Sequence, residues 1–151
     1  MPAADPITAP RYTRSEVAAW LGVSRSTVRR RAGPIAGALT FADVVRVGLA
    51  LDRVRVITAH RVLLTRFPLP VHLDPRYCWG QPFVFGDDLV PVPSVVERVL
   101  AGEDPTVVAP DYGVSIEVVE ALVAAMRAPA RLRGEPRRTR VRPDPTPVAT
   151  Q

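Results

Sequence analysis

The sequence predicts a mostly α protein: a helical N-terminal helix-turn-helix unit, then a small three-helix, helix-turn-helix-like unit that carries a short β-ribbon. Three observations carry that expectation. Helix-capping residues recur at helix-length spacing. The triplet Gly-Val-Ser occurs twice, at Gly22-Val23-Ser24 and Gly113-Val114-Ser115. Apolar residues at helical period follow most of the caps. With 47% hydrophobic but only 6% aromatic residues, the cores must be mostly Val, Leu and Ala. The 151 residues allow one medium domain or two small ones.

Residues 1–10 form a Pro/Ala leader, expected to be disordered. Residues 11–67 read as the first unit. Thr13 and Glu16 have capping-box spacing, and Val17, Ala18 and Leu21 share one face of the helix they start. Gly22 suits a turn needing positive φ, Val23 plugs the core, and Ser24 caps a second helix in which Val28 points inward. Ala32 to Ala38 is a Gly/Pro-interrupted connection. Thr40 and Asp43 repeat the cap spacing ahead of a helix over 41–54, with Phe41, Val44, Val45 and Leu49 as its apolar side. Gly48 in mid-helix costs about 1 kcal/mol relative to Ala and so marks a close contact. A further helix over 58–67 completes a four-helix head.

Residues 68–79 read as a Pro-rich linker in which Tyr77 and Trp79 are expected to be core plugs, with base-stacking platforms as the alternative. Residues 80–129 read as the second unit. Phe83 to Val92 alternates apolar residues around Gly86-Asp87-Asp88, a two-stranded ribbon. Ser94 caps a helix over 95–101, with Glu97 completing the box. Asp104 caps a helix opening on Pro105, and Ser115 caps one from Ile116 to about Ala128. Val108, Ala109, Val114 and Val119 echo Val17, Ala18, Val23 and Val28. Residues 130–151 are Pro/Arg-rich and expected to be disordered until a partner orders them.

All twenty basic residues are arginine, and their distribution is segregated. Residues 1–67 hold eleven Arg against four acids; 68–129 hold three against nine; 130–151 hold six against two. A basic head suits a polyanion, bound through counterion release. The second helix places Ser24, Arg25, Ser26, Thr27, Arg29, Arg30 and Arg31 where a recognition helix meets the major groove, and these are the candidate DNA-binding residues. The alternative is an ordinary helical hairpin with a solvated basic face. The echo carries Glu117 and Glu120 instead, which points to protein rather than DNA. A homodimer is expected because helix-turn-helix proteins read paired half-sites.

The run from Gly80 to Met126 resembles the small domain family DUF433. Gly80, Pro82, Gly86, Pro91, Val92, Ala101, Gly102, Glu103, Tyr112, Gly113, Val114 and Ser115 follow that family's motif order. The Thr-Arg pair usual after its ribbon glycine is replaced by Asp87-Asp88, so the role of that arginine does not carry over. The first half is similar to the MerR-type helix-turn-helix that precedes this domain in VapB-type antitoxins. The resemblance implies the antitoxin of a bacterial toxin–antitoxin pair, a partner of a PIN-like ribonuclease, that also binds its own operator DNA. Such a nuclease gathers carboxylates around a divalent metal, and bidentate arginines inserted among them would displace the cation. Arg131, Arg133, Arg137, Arg138, Arg140 and Arg142 are the candidate toxin-binding residues. A plain solvated tail is the alternative.

Other classes find little support. One cysteine, Cys78, excludes an intrachain disulfide and a four-thiolate zinc site. His60 and His72 are too isolated to hold a metal, and there is no phosphate loop or nucleophile–base order. No enzyme activity, metal or cofactor is expected. No apolar run approaches the ~18 residues of a membrane helix, and the N-terminus lacks a signal-peptide pattern, so a cytoplasmic protein is expected. A stand-alone MerR-like transcriptional regulator without a toxin partner is the alternative function.

Overall fold

A computed structural model describes residues 4–128. It is a mixed α/β fold, which corrects the mostly α expectation. Six α-helices accompany a five-stranded antiparallel meander of strand order β1-β2-β3-β4-β5. Helices α1 (Arg14–Leu21), α2 (Arg25–Ala32) and α3 (Phe41–Ala50) lead. Strands β1 (Val54–Thr58), β2 (Arg61–Leu64), β3 (His72–Leu73), β4 (Phe83–Phe85) and β5 (Leu89–Pro91) follow. Helices α4 (Val92–Leu100), α5 (Pro105–Tyr112) and α6 (Ile116–Arg127) close the described chain.

The largest departure is at 54–64. A helix over 58–67 does not form; the segment is the β1–β2 hairpin, with Val54 opposite Leu64 and Val56 opposite Val62. Val54, Val56, Ile57, Thr58 and Val62 are β-branched, and such side chains fit a pleated surface better than a helix interior. The expected four-helix head is therefore three helices and a hairpin. The presumed linker supplies β3, which pairs Leu73 with Val62 and His72 with Phe83. The ribbon around Gly86-Asp87-Asp88 forms as expected, as β4 and β5. One hydrophobic core runs from Tyr12 to Val123 and includes Val62, Leu64, Leu73, Val84 and Val90 from the sheet's inner face. Where composition suggests a disordered leader, Thr8 and Ala9 donate to the Asp5 carbonyl in a turn, and Ile7 packs on the core.

Most helix starts follow their caps. Thr13–Glu16 and Thr40–Asp43 are complete capping boxes. Ser24, Asp104 and Ser115 cap α2, α5 and α6. Ser94 is not a cap: α4 begins at Val92, behind Pro91, and makes no side-chain cap bond. Helix α3 stops at Ala50 rather than 54, because Asp52 adopts φ +53°. It buries Phe41, Val44, Val47 and Gly48, which leaves Leu49 exposed instead of inward.

Gly48 does mark a close contact, with a strand rather than a helix. A Cβ there would lie 2.5 Å from Val54 Cγ1 and 2.9 Å from Cγ2. Gly48→Ala should gain about 1 kcal/mol of helix propensity and lose about 1–3 kcal/mol to overpacking against buried Val54. A net loss in urea unfolding is expected, with recovery when Val54→Ala is added. A simple gain in stability from the glycine change alone would refute the contact.

Candidate nucleic-acid interface

Helices α1 and α2 form the helix-turn-helix. Gly22 sits in the left-handed region (φ +70°, ψ 39°), and the Val23 amide donates to the Ala18 carbonyl at 3.0 Å, which closes the turn. Val17, Ala18, Val23 and Val28 are all buried. Ser24 Oγ accepts from the Thr27 amide at 3.2 Å. At 100° per residue, Arg25, Ser26, Arg29 and Arg30 share an arc of about 140°, and all four are exposed. Arg31 is exposed too but lies about 100° beyond Arg30. Thr27 departs from the expected set: it is only 6% exposed, and its Oγ1 lies 2.8 Å from Ser24 Oγ. It fixes the cap and presents almost no surface to solvent.

The other arginines of the head are mostly committed to backbone. Arg14 donates to the Gly37 carbonyl at 2.8 Å and to that of Ile35. Arg46 donates to the Arg31 and Ala32 carbonyls at 3.2 and 3.1 Å, a cation on the C-terminal end of α2. Arg11 donates to the Pro75 carbonyl at 2.9 Å. By contrast, among the described residues Arg25, Arg29, Arg30 and Arg31 enter no ion pair. Four guanidinium groups on one short helix, exposed and outside any ion pair among the described residues, are available to a polyanion.

The echo is geometrically real. Gly113 has φ +64° and ψ 35°, and the Val114 amide donates to the Ala109 carbonyl at 3.2 Å. Val108, Ala109 and Val119 are buried, and Val114 is half-buried. Pro110 is accommodated inside α5, which lasts only eight residues. Counting from each turn glycine, Ile116, Glu117 and Glu120 stand where α2 has Arg25, Ser26 and Arg29. All three are exposed. Nearby, Arg98 bridges Glu103 and Asp111, which keeps those carboxylates from adding free charge. Two turns of the same geometry thus present opposite electrostatics.

Sequence reasoning missed a second polar centre on the sheet's outer face. Asp74 is wholly buried and bridges Arg61 (3.2 Å) and Arg76 (2.9 Å). Burial pushes its carboxyl up, but hydrogen bonds from Arg76 and Arg61 outweigh this and hold it below the usual carboxylate range. Arg61 lies 5.5 Å from the Phe83 ring centroid and covers that buried side chain together with Tyr77, His72 and Phe85. Tyr77 and Trp79 are not core plugs. Tyr77 is exposed, and Trp79 is 88% exposed, on a backbone where Cys78 and Trp79 both have positive φ.

No family model matches the chain, and no curated protein matches it. Among solved structures the fold is similar to the crystal structure of Rv2018 from Mycobacterium tuberculosis. The TM-score is 0.57 at 17% identity, over 80% of this chain and 98% of that one. At that identity the likeness shows the fold alone. No helix among the described residues is long and apolar enough to cross a membrane. The six candidate toxin-binding arginines, from Arg131 to Arg142, lie outside the described residues.

Proposed function

We propose that the chain is a DNA-binding antitoxin: α2 reads operator DNA upstream of its own gene, and the acidic second half with the basic tail holds a PIN-like ribonuclease. The observation that carries the DNA part is the set of four exposed arginines, in no ion pair among the described residues, on a capped, buried-backed second helix. Desolvating them against phosphates and guanine edges breaks none of the ion pairs among the described residues. The acidic echo supports a division of labour, since Glu117 and Glu120 would be repelled by a phosphate backbone. The toxin part rests on the motif order from Gly80 to Met126 and on the tail's bidentate chemistry. Two copies of the chain on paired half-sites complete the proposal.

Truncation after Ala130 separates the two activities. The shortened protein should keep operator binding within a few-fold and lose inhibition of the co-purified nuclease. Full inhibition by the truncated protein would rule out the tail as the inhibitory element.

A further inference from the structure

Arg66, in the loop after β2, makes an unusual set of contacts. Its guanidinium donates to the Ala19 carbonyl near the end of α1. It also donates to three carbonyls at the end of α6: Ala125 at 3.0 Å, Ala128 at 2.8 Å and Met126 at 3.4 Å. The last four carbonyls of a helix have no partner within it, and a cation there also meets the negative end of the helix dipole. One side chain therefore terminates two helices that are about a hundred residues apart in sequence. Its stem is seated on the turn itself: a Cβ on Gly22 would lie 3.0 Å from Arg66 Cδ. Gly22 thus serves both the left-handed turn and the seat for this side chain.

From this geometry we infer that Arg66 is a positioning residue for the recognition helix, clamping the α1–α2 turn to the C-terminal end of α6 as one mechanical unit. The inference rests on the DNA-binding reading for its functional consequence, but not for the clamp itself. The turn sets the direction in which α2 leaves α1, so it sets where Arg25, Arg29 and Arg30 meet a duplex. Four of the five N–H groups of Arg66 are directed at these carbonyls, so its effect on a duplex is expected through the turn rather than through a groove contact of its own. Lysine cannot replace this clamp fully: one ammonium cannot span both helix ends as the planar fork does.

The test uses the full chain, its Arg66→Met and Arg66→Lys variants, and a duplex taken from immediately upstream of its gene. Hydrogen exchange is measured first, without DNA. In Arg66→Met, exchange at Val23 and in the last turn of α6 should rise together, by about tenfold, while the Leu73 and Val84 amides keep their protection. Duplex affinity should fall about tenfold with an unchanged salt slope, since no phosphate contact is removed. Arg66→Lys should recover part of both losses. Faster exchange at the α6 end with Val23 unchanged would overturn the clamp. Faster exchange at both sites with wild-type duplex affinity would overturn the positioning role. A wild-type chain that binds no duplex would contradict the functional reading instead, and the exchange pattern would still decide the clamp.

Discussion

Replacing Arg25, Arg29 and Arg30 together with alanine is expected to remove operator binding while leaving the fold intact. Each contact of this kind is worth about 1–3 kcal/mol, so three give a loss of at least about 100-fold. The fold should tolerate the change because these side chains are exposed and enter no ion pair among the described residues. Alanine also has the higher helix propensity. The single variants separate roles. An arginine on phosphate reduces the slope of log affinity against log salt by about 0.9 per contact. One that reads a guanine edge relaxes sequence preference at that base pair instead. Arg31→Ala should have the smallest effect, since Arg31 lies off the shared arc. Electrophoretic shift and fluorescence anisotropy at several salt concentrations would measure all of this. Unchanged binding by the triple variant would remove α2 from the interface.

Asp74→Asn is expected to be the most damaging polar substitution for stability. The carboxylate is buried and receives both Arg61 and Arg76, and the amide would leave two cations under-compensated. Breaking a fully buried pair costs about 3–5 kcal/mol. Both arginines are partly exposed here, so the loss should be about 2–3 kcal/mol after screening. The pH dependence follows from the lowered carboxyl. A group whose folded pKa is depressed contributes stability that is complete above its unfolded value, near 4, and is lost as pH falls through the folded value. Urea midpoints measured from pH 7 downwards should therefore fall in the acid range for the wild type. Asp74→Asn should lack this contribution and lose less with acid. Parallel curves for the two proteins would show that Asp74 does not carry that part of the stability.

Much of the helical frame was legible because caps are local. Thr13, Ser24, Thr40, Asp104 and Ser115 act within three residues of themselves, and each starts a helix as its spacing predicts. Gly22 and Gly113 were legible for the same reason. The sheet was not, because strand pairing is a long-range property. The β1–β2 turn at Ala59-His60 also lacks the Gly or Asn that marks a tight hairpin. It needs neither residue, since among the described residues positive φ is confined elsewhere and the register shifts between Val56 and Thr58. The Thr58 hydroxyl accepts from the His60 amide within this turn, so the residue expected to open a helix over 58–67 is a turn residue.

The exposure of α2's arginines was legible, since their solvent side follows from the inward Val28. The burial of Thr27 was not legible, because a hydroxyl three residues after a serine cap can bond to that cap instead of facing out. Asp74 gave no signal at all. Its partners Arg61 and Arg76 flank it in sequence, but only the β2–β3 pairing brings Arg61 across.

We propose that α2, and not its acidic echo, meets DNA. Backbone amide shifts of the isotope-labelled full chain, titrated with the upstream duplex at moderate salt, test it most directly. Perturbations should concentrate at residues 24–31 and the adjoining turn, with residues 115–121 unchanged. Perturbations centred on Ile116, Glu117 and Glu120 with a silent α2 would contradict it.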